Sequence, residues 1–210
     1  MSVTFASKCW KNDYIKLIYG GFKRKEEAIG YPFEKSIHIY NNGVPGYLAN
    51  GYHVADMDVK VLHSFGLKKK KLLGLGKGYI YAVGELSALY LCDTEYLCYV
   101  QGDCITQGGD WVTPGIKILE EEPDTMVVSP LSEVNTWHDE NGYDHYMSDQ
   151  AWLVRVKDFK DPLVYSIRGI DDDYPEYGGD SFEHKVGKYL KWSGKKRKIL
   201  EEFYTQHPGY

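Results

Sequence analysis

The sequence has few cysteines and no paired cysteine motif. Its 210 residues include four cysteines, at positions 9, 92, 98 and 104, and no two of them form a C-x-x-C pair. Cys92 and Cys98 adjoin or lie in apolar stretches, which is typical of small buried hydrophobic residues. The four scattered cysteines do not make a disulfide framework, and they indicate a reducing compartment.

An excess of positive charge and a long apolar run are also missing. The formal net charge is −5, so the chain as a whole does not attract nucleic acid. No apolar run approaches the roughly 18 residues needed to cross a membrane, and residues 1–8 look like a strand rather than a signal peptide. We therefore expect a cytoplasmic protein. Two basic runs, 68–71 and 195–198, are interpreted as solvated faces or loops, with phosphate binding as the alternative.

Standard phosphate and metal motifs are absent as well. The glycine-rich segment 74–78 has neither the Walker spacing nor the dinucleotide fingerprint. A glycine-rich loop before a helix can still offer backbone N–H groups to an anion, and Lys77 would add a positive charge. An ordinary flexible loop is the equal alternative. The histidines at 138, 145, 184 and 207 show no H-x-x-x-H metal spacing.

Aromatic residues are abundant. The chain has 19 Tyr, 7 Phe and 5 Trp, and the apolar faces and polar tips of Tyr and Trp suit stacking on sugars or bases. A tyrosine-rich core and surface would account for them equally well. The length suits one sizeable domain with its own core.

Strand and helix patterns alternate in the first half of the chain. Strands are predicted at 2–6, 36–40, 59–63, 96–100, 125–129 and 151–156, and helices at 14–19, 79–91, 113–122 and 182–192. Alternation of this kind is typical of a parallel sheet covered by helices. No repeat and no linker rich in proline or serine divides the chain, so we expect one α/β domain.

The predicted strand 96–100 ends in Gln101-Gly102-Asp103, which is the strongest candidate site. Open α/β sheets bind ligands at the carboxyl ends of their strands, and Gly102 permits close approach of a ligand. A Mg²⁺ or Mn²⁺ ion is often held by one or two carboxylates together with substrate phosphates. A turn-capping aspartate is the alternative interpretation of Asp103.

Further candidates follow in the second half. Asp149 precedes the strand that contains Trp152, whose flat face suits a sugar, and Trp111 follows the Gln101-Gly102-Asp103 segment. For Asp149 and Trp152, a capping aspartate and a core tryptophan are equal alternatives. Asp180 and Glu183 lie at the start of the last long helix, where the helix dipole favours carboxylates. Either of them suits a general base, although a capping box is a strong alternative.

The order of these segments resembles the GT-A class of nucleotide-sugar glycosyltransferases, in particular its small, family-2-like members. Ala6-Ser7-Lys8 is similar to the first nucleotide-contacting edge of that class, and Asn41-Asn42 to the second. Segment 95–103 resembles its D-x-D metal motif, with Gln101 where the class usually has an acid. Segments 147–155 and 178–183 resemble the acceptor side and the region that supplies the base. The resemblance covers roughly residues 2–200.

The resemblance implies a GT-A-like single domain with a mostly parallel central sheet flanked by helices. Residues 1–104 would form the nucleotide-binding half and 105–210 the acceptor-side half. It implies a UDP- or GDP-sugar donor, a glycan or glycoprotein acceptor, and Mn²⁺ or Mg²⁺ on Asp103. The nucleotide would contact Ala6, Ser7, Lys8, Asn41, Asn42, Lys77, Gln101, Gly102 and Asp103.

The mechanism implied by the resemblance is a single displacement with inversion at the anomeric carbon; a retaining enzyme is the alternative. Glu183, Asp180 or Asp149 would be the base. Lys77 or Lys8, with the metal, would stabilise the leaving diphosphate, and Trp111 and Trp152 would contact the sugar or the acceptor.

Two other functions compete with glycosyl transfer. A sugar-1-phosphate nucleotidyltransferase normally has a glycine-rich, basic signature beside its first strand, whereas residues 7–11 contain no glycine. A non-enzymatic carbohydrate-binding module would usually be a β-sandwich, and the helical periodicity of 79–91 and 182–192 argues against that fold.

Overall fold

The computed structural model describes residues 1–9, 21–40, 52–53, 59–66, 78–132, 138–148, 150–165 and 182–206. The strands in these ranges are β1 (Val3–Cys9), β2 (Lys35–Tyr40), β3 (Tyr52–His53), β4 (Tyr96–Val100), β5 (Ile105–Gln107), β6 (Thr125–Ser132), β7 (Tyr143–Asp144), β8 (Ala151–Arg155) and β9 (Lys196–Gln206). The α-helices are α1 (Phe22–Ile29), α2 (Val59–Ser64), α3 (Gly78–Leu91), α4 (Val112–Glu121), α5 (Val156–Phe159) and α6 (Phe182–Ser193), and a 3₁₀ helix covers Pro162–Tyr165.

The described strands form one mixed sheet in the order β3-β2-β1-β4-β8-β6-β9-β5, with β7 paired to β9. The first-half strands β3, β2, β1 and β4 are parallel to one another, as their alternation with helices predicts. Strand β8 then runs antiparallel between β4 and β6. The predicted α/β architecture, a central sheet flanked by helices, is confirmed. The expectation of a mostly parallel sheet is wrong, because β8 pairs antiparallel with β4 and β6, and β9 pairs antiparallel with β5 and β7.

Each face of the sheet carries its own hydrophobic core. Side chains alternate along β1, so Val3 and Phe5 pack with α1 and α4, whereas Ala6 packs on the opposite face with α2, α3, α5 and α6. Every residue of β4 is buried. Strands covered on both faces become almost continuously apolar, which explains why β4 and β8 are readily predicted from the sequence.

The helix predictions have three different outcomes. The helices predicted at 79–91, 113–122 and 182–192 are confirmed as α3, α4 and α6. The helix predicted at 14–19 lies outside the described residues, and α1 was not predicted. The side chain of Asp110 accepts hydrogen bonds from the N–H groups of Val112 and Thr113, both at 3.0 Å, and so caps α4.

The strand predicted at 59–63 is wrong, because this segment is helix α2. Its two valines, with a lysine between them, match the alternation of apolar and polar residues that is typical of a strand. In the structure, Val61, Leu62 and Phe65 are all buried, and their spacing matches one face of a helix packed against the sheet. Tertiary packing therefore overrides the local strand preference of the valines.

Residues 196–198 of the basic run 195–198 are the first residues of strand β9, and they do not form a solvated loop. Arg197 is only 1% exposed. Its guanidinium donates two hydrogen bonds to the carboxylate of Asp144, one from Nε to Oδ1 at 2.9 Å and one from Nη2 to Oδ2. A bidentate pair of this kind lets a charge be buried. The interpretation of this run as solvated is therefore wrong for Arg197.

The other predicted strands differ from the structure mainly at their ends. The strand predicted at 2–6 extends to Cys9, and the one predicted at 125–129 continues through Pro130 to Ser132, with a register shift after Pro130. Strands β3, β5, β7 and β9 were not predicted. No helix within the ranges that the structure describes is long and apolar enough to cross a membrane.

Tyr143, which precedes Asp144 of the Arg197–Asp144 pair, should lower the free energy of unfolding as the pH rises above about 10. Its hydroxyl donates to the carboxylate of Glu122, with oxygen distances of 2.7 and 2.8 Å. Burial, followed by this hydrogen bond, raises the pKa of Tyr143 to about 12. The phenol of the unfolded chain loses its proton near pH 10, so between about pH 10 and 12 the unfolded state binds fewer protons and gains stability relative to the folded state.

The matched variant for this effect is Tyr143→Phe, which has no phenolic proton. Urea unfolding of both proteins at about pH 9 and about pH 11.5 should show a larger loss of unfolding free energy in the wild type. Tyr96, whose pKa is also raised to about 12, is present in both proteins and cancels. Equal losses in the two proteins would contradict the assignment to Tyr143.

Candidate functional site

The candidate site lies where the strand order reverses direction. From β1 the sheet continues through β2 and β3 on one side and through β4 on the other, which makes the β1–β4 boundary a topological switch point. Ala6 is in register with Tyr99 on the parallel strand β4. Lys8 and Gln101, each two residues further along, therefore come to the same edge of the sheet.

A tight turn, residues 101–104, follows β4 and presents Asp103. The N–H of Cys104 donates to the carbonyl of Gln101 at 3.0 Å, and the N–H of Gln101 donates to the carbonyl of Gln150 at 2.7 Å. Lys25 on α1 donates from Nζ to the carbonyls of Gln101, at 2.9 Å, and Cys104. Gln101, Gly102 and Cys104 are buried, whereas Asp103, the acidic residue of the turn, is half-buried.

A buried polar network orients the side chain of Gln101. The ammonium of Lys8 lies 2.6 Å from Oε1 of Glu85 on α3. The hydroxyl of Tyr99 lies 3.2 Å from the same carboxylate oxygen and 3.1 Å from Oε1 of Gln101. A Cβ atom on residue 84 would lie 2.6 Å from Cδ of Lys8, so Gly84 makes the room in which the lysine reaches Glu85.

In this network Lys8 pairs with a buried carboxylate instead of facing a ligand. Its side chain is 1% exposed and the side chain of Glu85 is 2% exposed, so the ammonium faces a carboxylate inside the protein. Lys8 therefore acts on the turn through Glu85 and Tyr99. Its neighbours Ala6 and Ser7 are also fully buried, Ala6 in the core beside α3 and Ser7 on the other face of the sheet.

The two candidate tryptophans lie inside the two cores. Trp111 and Trp152 are both 0% exposed. The ring of Trp152 stacks on Tyr99 with centroids 4.8 Å apart and on Phe182 with centroids 5.8 Å apart. Neither indole presents a face to solvent, so a sugar cannot stack on either ring in this conformation.

The ring stack connects the turn to the start of α6. Phe182 is the first residue of α6, and Glu183, the predicted base, follows it in the first turn and is half-buried. The Tyr99 ring at the other end of the stack carries the hydroxyl that contacts Gln101. Glu183 therefore lies next in sequence to this ring stack, on the helix that packs on the Tyr99 face of the sheet. The remaining candidates lie outside the described residues: Asn41, Asn42, Lys77, Asp149 and Asp180.

Sequence reasoning missed three side chains that build this site, namely Lys25, Glu85 and Tyr99. A single glutamate in the otherwise apolar pattern 79–91 was a usable signal for Glu85, because a charge on a buried helix needs a partner. Lys25 gave no comparable signal, since it lies among exposed charged residues in α1.

The donor set fits a divalent cation that arrives with a diphosphate. Among the described residues no cluster of three or more His, Cys, Asp or Glu side chains is arranged to hold a metal ion. One carboxylate together with phosphate oxygens is a common way of holding Mg²⁺. Asp103, half-buried in the turn at this edge of the sheet, is the residue that would supply that carboxylate.

Comparison with known proteins shows the fold. No protein-family model matches the sequence, and no curated protein matches it. Glucosyl-3-phosphoglycerate synthase from Mycobacterium tuberculosis, crystallised with Mg²⁺ and UDP, matches 100% of this chain and 72% of its own at 8% identity, with a TM-score of 0.52. Two further structures of the same enzyme contain Mn²⁺ and UDP-glucose, one with phosphoglyceric acid and the other with glycerol 3-phosphate. Each has a TM-score of 0.53 at 8% identity, and the match covers 72% of the first of those chains and 73% of the second. The chain therefore has a GT-A-like fold.

Proposed function

We propose that this protein is a glycosyltransferase that moves a sugar from a nucleoside-diphosphate sugar to an acceptor hydroxyl. The observation that carries the proposal is the turn Gln101-Gly102-Asp103 at the carboxyl end of β4, beside the end of β1. This is the switch point where α/β sheets bind nucleotides. Support comes from the fold, which is shared with an enzyme crystallised with UDP and Mg²⁺ or with UDP-glucose and Mn²⁺.

In this proposal the nucleotide lies along the ends of β1, β2 and β4. Asn41 and Asn42 follow β2 and would contact the base, and Gln101 and Gly102 would line the diphosphate. Asp103 would hold Mn²⁺ or Mg²⁺ together with the diphosphate oxygens. The cation would supply positive charge against the charge that develops on the leaving diphosphate.

The proposed transfer is a single displacement. Glu183, at the start of α6, takes the proton of the acceptor hydroxyl as its oxygen bonds to the anomeric carbon; Asp180 and Asp149 are the other candidates for this role. The bond from the anomeric carbon to the diphosphate oxygen breaks, and its electron pair leaves with the diphosphate. Attack opposite the leaving group inverts the configuration at the anomeric carbon. The acceptor proposed is a glycan or glycoprotein.

The test is ligand-induced stabilisation of the full chain. UDP or GDP at millimolar concentration should raise the melting temperature, and Mn²⁺ should enlarge that shift, because a ligand that binds only the folded state stabilises it. Mn²⁺ alone is the control, as is nucleotide with a chelator. No shift with any nucleotide or nucleotide sugar would refute the proposal. A nucleotidyltransferase would instead release pyrophosphate from a nucleoside triphosphate and a sugar 1-phosphate.

A further inference from the structure

Lys25 is a buried lysine in an unusual place. Helix α1 buries Phe22, Lys25 and Ile29 on one face, so a charged residue lies in the middle of its apolar stripe. Lys25 is 5% exposed. Burying an ammonium is costly unless its donors are satisfied, so the contacts it makes are specific ones.

Those contacts are made to the backbone of the candidate donor turn. Nζ of Lys25 donates to the carbonyls of Gln101 and Cys104, the first and last residues of the turn that contains Asp103. The Gln101 carbonyl also accepts the turn's own hydrogen bond from the N–H of Cys104, so both of its lone pairs are engaged. Lys25 therefore bonds both ends of the turn.

The bond from Lys25 to the Gln101 carbonyl also fixes the direction of the Gly102 N–H. Because C=O and N–H point in opposite directions in a trans peptide, a Gln101 carbonyl aimed at Lys25 turns the N–H of Gly102 away from α1. The same helix contacts the end of β2, since Phe22 packs edge-on against Tyr40 with ring centroids 6.0 Å apart. Helix α1 thus contacts the ends of β2 and β4, the two strands that flank β1.

We propose that Lys25 is a positioning residue that holds the 101–104 turn in the conformation that binds the diphosphate and its cation. This inference rests on the proposed function, and it assigns the positioning to a residue of α1 that does not touch the ligand. Loss of the hydrogen bonds from Lys25 to Gln101 and Cys104 would leave the Asp103 carboxylate present but on a less rigid turn.

Lys25→Met tests this, because methionine has a similar length and no donor. The matched control is Lys23→Met on the same helix, where Lys23 is 80% exposed and pairs with Glu27 at 3.6 Å. The first measurement is hydrogen exchange of residues 101–104 in the full chain. We expect exchange at Cys104 to accelerate about tenfold in Lys25→Met, as for loss of a hydrogen bond to a charged group, and to be unchanged in Lys23→Met.

The second measurement is the Kd for UDP with and without Mn²⁺. It should rise about tenfold in Lys25→Met when Mn²⁺ is present, the loss typical of residues that orient a metal ligand, and rise less without Mn²⁺. Should Lys25→Met fail to fold, Lys25→Gln, which keeps a polar group in the buried site, receives both measurements with the same expected direction.

Each outcome has a distinct meaning. Unchanged exchange at the turn overturns the positioning role. Faster exchange with an unchanged Kd overturns its link to ligand binding and leaves a structural lysine. A wild-type protein that binds neither UDP nor GDP refutes the glycosyltransferase proposal, and the exchange data then still decide whether Lys25 holds the turn.

Discussion

Replacing Asp103 by alanine is expected to abolish sugar transfer and to remove the Mn²⁺-dependent part of nucleotide binding. Asp103 is the acid of the turn at the end of β4, and it is half-buried. A cation at a leaving group supplies several kcal/mol of charge stabilisation, so transfer should fall by roughly 100-fold or more. The N–H of Cys104 and the side-chain ammonium of Lys25 bond the backbone carbonyl of Gln101 and hold the turn without the Asp103 side chain, so the cost in stability should be about 1 kcal/mol or less.

The matched control for this experiment is Asp124→Ala. Asp124 is an exposed aspartate that pairs with Lys195 at 2.9 Å, and its loss changes the net charge by the same amount. Titration calorimetry of UDP with and without Mn²⁺ should show wild-type binding in Asp124→Ala and no effect of Mn²⁺ in Asp103→Ala. If Asp103→Ala keeps its Mn²⁺ dependence, the cation is held elsewhere.

Lys8→Met is expected to destabilise the fold by about 3–5 kcal/mol, because it leaves the Glu85 carboxylate buried without its cation. The two groups lie 2.6 Å apart and are nearly inaccessible to solvent. Tyr99 also contacts Glu85 and holds Gln101. The disturbance should therefore reach the candidate site as well as the core.

A double-mutant cycle separates the pair from its surroundings. Glu85→Gln removes the charge but keeps an acceptor for Tyr99, so Lys8→Met combined with Glu85→Gln should be more stable than Lys8→Met alone. Urea unfolding of the four proteins measures this. A cost below about 1 kcal/mol for Lys8→Met would be the value of an exposed pair and would contradict the buried geometry.

Segments with one clear periodicity could be predicted from the sequence. Strands β4 and β8 are short apolar runs between polar turns, and α3, α4 and α6 repeat apolar residues at helical spacing, so local pattern and tertiary burial agree there. The prediction for the segment of α2 was wrong because its two valines favour a strand, whereas burial of Val61, Leu62 and Phe65 on one side favours a helix. Strand β9 was missed because its first residues are basic.

Half of the candidate site could be predicted in the same way. The end of a buried strand followed by Gln101-Gly102-Asp103 predicts a ligand-binding edge from the sequence alone. The interpretation of Trp111 and Trp152 could not be settled from the sequence, because an aromatic residue that stacks in a core and one that stacks on a sugar look alike. Their complete burial was decided by the helices packed over them.

The sequence by itself determined the α/β class, the main helices and the place of Asp103 after a buried strand, because these follow from the periodicity of neighbouring residues. Only the tertiary structure decided which distant charges meet. Lys8 and Glu85 are 77 residues apart, and Lys25 and Gln101 are 76 apart. Burial of an ion depends on the partner that the fold brings to it, and no local pattern encodes that partner.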